Sequence, residues 1–155
     1  LTPIPGLFYS VDGGVEELLD DDDTLFAYSP ALVVDAEGTP HLAFVDDSSF
    51  EAVVTYATRS DGGWLLETIA SDGGAPSIAI RPDGRVAIAF YDSASTHLQL
   101  ATREDDGWTI DTVDESPRAG VNPSLAYDAA GHPHLSYYDE TQRVLAYATW
   151  VATAD

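Results

Sequence analysis

The stretch PSLAYDAAGHPHLSYYDE, residues 123–140, decides the fold because the chain carries it three times. PALVVDAEGTPHLAFVDD starts at Pro30 and PSIAIRPDGRVAIAFYDS at Pro76, so the copies follow at intervals of 46 and then 47 residues. The same intervals relate Gly38, Gly84 and Gly131, and again Asp46, Asp92 and Asp139. In each copy a small apolar run leads into Asp-x-x-Gly or Pro-Asp-Gly. That is a tight turn in which glycine takes the positive-φ position, and a second apolar run follows it. A Tyr/Leu-Ala-Thr segment comes next, at Tyr56-Ala57-Thr58, Leu100-Ala101-Thr102 and Tyr147-Ala148-Thr149. In the first two copies a turn and a strand led by Trp64 or Trp108 complete the unit, which reads as four strands. Short β-rich runs without a 3.6-residue period argue an all-β array, and a repeat of this length fits a β-propeller of four-stranded blades. A β-helix needs shorter coils, and a sandwich does not repeat its sequence at a constant interval.

The repeat resembles a bacterial propeller-type repeat of the form P-S-L-A-x-D-x-x-G-x-P-H-x-S-Y-Y-D followed by L-x-Y-A-T. The third copy matches it best, and the second departs from it with Ala87 where the others carry His41 and His134. The resemblance covers about residues 28–151; it implies the propeller architecture and no single activity.

Outside the repeats, GLFYSVDGGVEELL aligns with TYATRSDGGWLLETI, setting Asp12-Gly13-Gly14 on Asp61-Gly62-Gly63. The chain is thus expected to hold about thirteen strands. Residues 1–27 complete a blade, 28–70 form the first repeat, 71–116 the second and 117–155 an incomplete third, all in one domain. Propellers typically have four to eight blades, so about three blades leave two bare faces. The expected solution is a homodimer, two copies of the chain closing a six-bladed ring, with the strand near residues 15–19 completing the last blade. A piece of a longer propeller, or half of a heteromeric one, is the alternative.

Of the 155 residues, 45% are apolar and 10% aromatic, enough for a domain core. Against 27 Asp and Glu stand 6 basic residues, all Arg, for a formal charge of −21. That field repels phosphate backbones and anionic lipid, so nucleic-acid and membrane partners are not expected. No apolar run is long enough to span a bilayer, and LTPIPGLFYS lacks the basic and apolar regions of a signal peptide. The lack of Cys removes disulfides, thiolate nucleophiles and Cys-type zinc sites but leaves the compartment open, secretion or display on a bacterial surface included.

In a propeller the loops between second and third strands share a ligand-bearing face with the loops joining blades. That face receives Asp46-Asp47-Ser48, Asp92-Ser93-Ala94 and Asp139-Glu140-Thr141, with Tyr28-Ser29, Ser71-Asp72 and residues 118–122. One reading makes Asp46, Asp92 and Asp139 ligands of a divalent metal, calcium first, as hard oxygen donors suit. His97 is then a general base, and Arg118 or Asn122 holds the substrate oxygen of a small ester, lactone or phosphotriester. Six-bladed calcium-dependent esterases, lactonases and phosphotriesterases are similar in outline, although their ligand motifs do not match here. The other reading makes each Asp a strand-end cap bonding the backbone of its own turn.

His132-Pro133-His134 sets two imidazoles on one side of an extended segment, with His41 in the place of His134. This is a rival metal-like set near the opposite face, or else inter-blade packing. Asp20 to Asp23 reads as a solvated loop without the spacing of an EF-hand. Ser71-Asp72-Gly73-Gly74 lacks the Lys of a phosphate loop, and no Gly-x-Ser-x-Gly occurs. Trp64, Trp108, Tyr56, Tyr91, Tyr137, Tyr138 and Tyr147 recur as inter-blade packing, and aromatics beside Asp also suit sugars. The main functional expectation is therefore a metal-dependent hydrolase; the alternative is a lectin-like propeller that binds a glycan or other small ligand without catalysis. A purely structural interaction scaffold is a third reading.

Overall fold

The structure, a computed structural model, describes residues 8–9, 17–18, 27–47, 51–61 and 63–150. Thirteen strands lie among the described residues. They are β1 (Phe8–Tyr9), β2 (Glu17–Leu18), β3 (Ala27–Val34), β4 (Pro40–Asp46), β5 (Val53–Ser60), β6 (Gly63–Ser71) and β7 (Gly73–Ile80). There follow β8 (Val86–Asp92), β9 (His97–Glu104), β10 (Gly107–Asp114), β11 (Ala119–Tyr127), β12 (Pro133–Asp139) and β13 (Val144–Thr149). Three antiparallel sheets take them in chain order, β3-β4-β5-β6, β7-β8-β9-β10 and β11-β12-β13, and β1 and β2 pair separately. The fold is all-β, built of propeller-like blades. In the stretch expected to complete a blade, Phe8–Tyr9 and Glu17–Leu18 are described, and they pair with each other. The turn at Asp12-Gly13-Gly14, the run Asp20 to Asp23 and Ser48 lie outside the described residues. Among the described residues no helix is long and apolar enough to cross a membrane.

Turn chemistry sets the chain order. In each sheet the first hairpin closes on glycine, with φ of 87°, 87° and 85° at Gly38, Gly84 and Gly131, a conformation that costs other residues more. A carboxylate stiffens each turn: Asp35 accepts the Glu37 and Thr39 amides at 3.0 and 2.7 Å, Asp128 accepts those of Ala130 and His132 at 2.9 Å, and Asp83 accepts that of Arg85 at 3.1 Å. The proline that opens each repeat sits at a β-bulge. Register slips between Tyr28 and Ala31, Gly74 and Ser77, and Val121 and Ser124. The residue before each proline, Ser29, Ala75 or Asn122, has a positive φ of 53°, 47° or 49°. An imino residue that cannot donate to the ladder belongs at such an irregularity.

Burial explains the composition of each strand. In the middle sheet β8 is buried from Val86 to Phe90 on both faces, because a sheet covers it on either side. β3 and β13 alternate instead, each having one covered face. β7 packs on β3, β4 and β5, and β11 packs on β7, β8 and β9, so each first strand seats against the preceding sheet. The first seam gathers Ala43, Val54, Tyr56, Ile78, Ile88 and Phe90, and the second Ala89, Leu98, Leu100, Leu125, Leu135 and Tyr137. Each large side chain buried there contributes about 1.5–3 kcal/mol. Ser77 joins the inner strands by accepting the Leu125 amide at 3.0 Å.

Candidate functional site

The three repeated aspartates end β4, β8 and β12. Asp92 accepts the Ala94 amide at 2.9 Å and the Ser95 hydroxyl at 2.6 Å. Asp139 is buried and accepts the Gln142 amide and its side-chain nitrogen, both at 2.8 Å. Both carboxylates are thus engaged within their own hairpins, as strand-end caps are. Asp46 occupies the equivalent place, opposite Ala27 and Val53. Among the described residues no group of three or more His, Asp or Glu side chains is arranged to hold a metal ion.

Two expected partners of that set, His97 and Arg118, lie beside Asp92 and Asp139. His97 faces Asp92 across the β8–β9 ladder and is the least of the influences that hold Asp114 below the usual carboxylate range. Burial opposes that lowering, and hydrogen bonds from Tyr137 and Ser116 are its stronger causes. Arg118 has φ 61° and lies between two hairpins: its amide donates to Thr96 at 2.9 Å, its carbonyl accepts from Glu140 at 3.1 Å, and its Nε reaches the Glu140 carboxylate at 2.9 Å. Asn122 is exposed in the bulge before Pro123.

At the other end of the blades the histidines join carboxylate and phenol. His41 Nδ1 lies 2.6 Å from the Tyr56 hydroxyl, and its Nε2 lies 3.3 Å from Asp35. In the third sheet His134 Nδ1 lies 2.5 Å from the Tyr147 hydroxyl, while His132 Nδ1 at 2.9 Å and His134 Nε2 at 3.6 Å approach one oxygen of Asp128. The backbone amide of His132 leads the effects that hold the Asp128 carboxyl at about 2. His132 and His134 are therefore on one side, as their spacing predicts, and converge on a carboxylate. His41 and Asp46 stand five residues apart on β4, roughly 17 Å along the strand, so the two rival sets lie at opposite ends.

The middle sheet replaces all three members of this unit. Arg81 stands for Asp35 and Asp128, Ala87 for His41 and His134, and Leu100 for Tyr56 and Tyr147. This changes what fills the space between sheets. In the first seam Trp108 meets the ring of Tyr56 edge-on with centroids 5.2 Å apart, and its Nε1 donates to Glu67 at 2.7 Å. Arg103 pairs with the same carboxylate and lies over the Trp108 ring. Burial raises the Glu67 pKa, but the hydrogen bonds from Arg103 and Trp108 outweigh it and hold the carboxyl below its ordinary value. In the second seam Leu100, Asp111 and Trp150 occupy the places of Tyr56, Glu67 and Arg103.

A cleft of about 170 Å³ remains there between the second and third sheets. Its walls carry the aromatics Tyr127 and Trp150, the hydroxyls Thr102 and Thr109, and the charged groups Arg81, Glu104 and Asp111. The Arg81 guanidinium lies 5.9 Å from the Tyr127 ring centre and 3.3 Å from Asp83, and its Nε is buried without a hydrogen-bond partner. Burial raises the Tyr127 pKa, so its hydroxyl remains a neutral donor and acceptor. Cavities of roughly 150 Å³ take up a single six-membered ring. The cleft is thus lined by two aromatic side chains, donors and acceptors around a space the size of one ring.

Sequence reasoning passed over Arg81, Tyr127 and Trp150. The signal was the departure of the second repeat, where Arg81 breaks the Asp-x-x-Gly pattern, together with the Trp that follows Thr149 where the other copies have Arg59 and Arg103.

No protein-family model and no curated protein sequence matches the chain. Among solved structures it is similar to a fucose lectin from Kordia zhangzhouensis in complex with methyl-fucoside. The TM-score is 0.53 at 14% identity, over 80% of this chain and 93% of the lectin. A protein of unknown function from Dyadobacter fermentans gives a TM-score of 0.54 at 14% identity, over 81% of this chain and 54% of that one. A Hadza microbial sialidase gives 0.58 at 15% identity, over 92% of this chain and 37% of the sialidase. At such identities the likeness is one of fold: the chain shares the all-β, propeller-like architecture of these proteins.

Proposed function

We propose that the chain is a carbohydrate-binding propeller module without catalytic activity, and that it holds one sugar ring between its second and third sheets. The cleft carries this reading: Tyr127 and Trp150 line it with aromatic surface suited to the C–H side of a ring, and Thr102, Thr109, Glu104 and Asp111 line it with hydroxyl partners. The buried, unpartnered Nε of Arg81 favours a ligand that brings an acceptor, since a buried donor left unmade costs about 1–3 kcal/mol. The fold it shares with a fucose lectin and a sialidase is compatible with this reading.

The metal-dependent hydrolase finds less support. It needs Asp92 and Asp139 to give up the turns they cap and to converge with Asp46 on calcium. Calorimetry separates the readings. A panel of methyl glycosides, methyl-fucoside among them, is expected to bind saturably without turnover, and Trp150→Ala or Tyr127→Ala to abolish the heat. A panel that binds nowhere, beside a chain that takes up calcium and hydrolyses esters, overturns the proposal. For the assembly we propose a six-bladed ring of two copies, supported by the two open faces of the three-sheet array.

A further inference from the structure

The inter-sheet seam is built twice within the chain, which gives a template for its two outer faces. On the entering side the template uses the third residue of each repeat. Ile78 is 8% exposed and Leu125 7% exposed, each seated on the preceding sheet, whereas their counterpart Leu32 is 60% exposed. Val34, on the same strand, is also exposed. On the receiving side the template uses the third strand. Val54 and Leu98 are fully buried beneath the next sheet, whereas their counterpart Leu145 is 80% exposed. Tyr147 is likewise exposed, although Tyr56 and Leu100 in its place are buried. The first sheet therefore displays an unfilled entering half, and the third an unfilled receiving half, of one and the same interface.

We infer that the occupant of each face is the opposite face of a second copy. Leu32 and Val34 of one copy seat on Leu145 and Tyr147 of the other, and the reverse contact forms at the same time. This is the reciprocal pattern that a twofold axis demands, and it closes both faces at once. The pairing rests on the six-bladed ring proposed above and adds its register, namely which face meets which. Continuity with the internal seams favours a second copy over an unrelated partner, because each surface already meets its complement inside this chain. One position differs. Ala27 stands where Gly73 and Gly120 approach the neighbouring sheet, and a Cβ at Gly120 lies only 2.5 Å from the Leu98 Cβ. The seam between copies is therefore wider at that end than the internal ones.

The chain has no cysteine, so introduced thiols report on the register alone. Light scattering of the 155-residue chain is expected to give twice the chain mass, and Leu145→Asp, at an exposed site, to give the chain mass with an unchanged far-ultraviolet spectrum. Leu32→Cys combined with Leu145→Cys is expected to yield a covalent dimer with a short bismaleimide, while neither single variant does. A wild-type chain that stays monomeric overturns the ring and the pairing together. A dimer in which Leu32→Cys alone, or Leu145→Cys alone, cross-links as fully as the pair overturns the pairing and leaves a dimer of another register.

Discussion

Replacing Gly120 by alanine tests whether the sheets meet as closely as the seam requires. A Cβ built there lies 2.5 Å from the Leu98 Cβ, 2.8 Å from its Cα and 3.1 Å from its Cδ1. The Cα belongs to the backbone of β9 and cannot swing aside, so the sheets must part. Overpacking of this kind typically costs about 1–3 kcal/mol. The φ of 102° adds about 1–2 kcal/mol for a residue with a Cβ. The sum is about 2–5 kcal/mol. In a domain of this size each kcal/mol lowers Tm by roughly 2–4 °C, which gives a fall of roughly 4–20 °C. Two further variants separate the contributions. Gly84→Ala meets open space at φ 87° and carries only the backbone cost, roughly 2–8 °C. Gly73→Ala meets Val54 and Phe90 without a positive φ and carries only the contact cost. Thermal unfolding followed by near-ultraviolet circular dichroism reads all three. Gly120→Ala that costs no more than Gly84→Ala would refute the close approach of β11 to β9, and with it the seam used as the template for the second copy.

The histidine unit makes stability depend on acid. Asp128 titrates at about 2 instead of 3.8, so its contribution is complete above pH 3.8 and is lost as pH falls towards 2; Asp128→Asn should flatten Tm against pH across that interval. At the other end Tyr137, raised to about 12 by burial and by its 2.6 Å bond to Asp114, contributes stability that is complete below pH 10 and lost as pH rises through 12. Tyr137→Phe should remove that alkaline loss and cost about 1.5–3 kcal/mol near neutrality in urea unfolding, as expected for a hydrogen bond to a charged group. Two copies, each carrying a formal charge of −21, repel one another, so the dimer fraction measured by light scattering should rise with salt. A fall with salt would place charge attraction, instead of the apolar faces, at the interface.

The sheets were legible because their signals are local and periodic. The glycine turn, the proline bulge and the apolar second strand recur at a fixed interval, and each states a backbone requirement that neighbouring residues satisfy. The strand-end role of Asp92 and Asp139 was legible for the same reason, since a carboxylate two or three residues before an amide closes a turn without help from afar. The joining of His132 and His134 on one carboxylate was half legible: their spacing gives the shared side, whereas Asp128 as the shared partner depends on how the hairpin folds back. The cleft was harder to read, because its walls are assembled from β9, β10, β11, the start of β12 and the residues just past β7 and β13, which only the folding of two sheets against each other brings together.

What marks the cleft is a substitution rule that emerges when the repeats are superposed. Where Asp, His and Tyr occur together, they lie together: in the first sheet His41 bonds both Tyr56 and Asp35, and in the third His134 bonds Tyr147 and stands 3.6 Å from Asp128; in the middle sheet all three are replaced together, by Arg81, Ala87 and Leu100. Losing one member alone would leave a half-buried polar group without its partner, which is costly, so the unit is best exchanged whole. The exchange brings in a guanidinium and removes a phenol at one seam, while the other keeps Tyr56 and fills with Trp108, Arg103 and Glu67. Repetition in this chain thus specifies the scaffold. The proposed ligand chemistry sits where the repetition breaks, and for that reason a search for residues shared by all three copies leads to turn caps and away from the cleft.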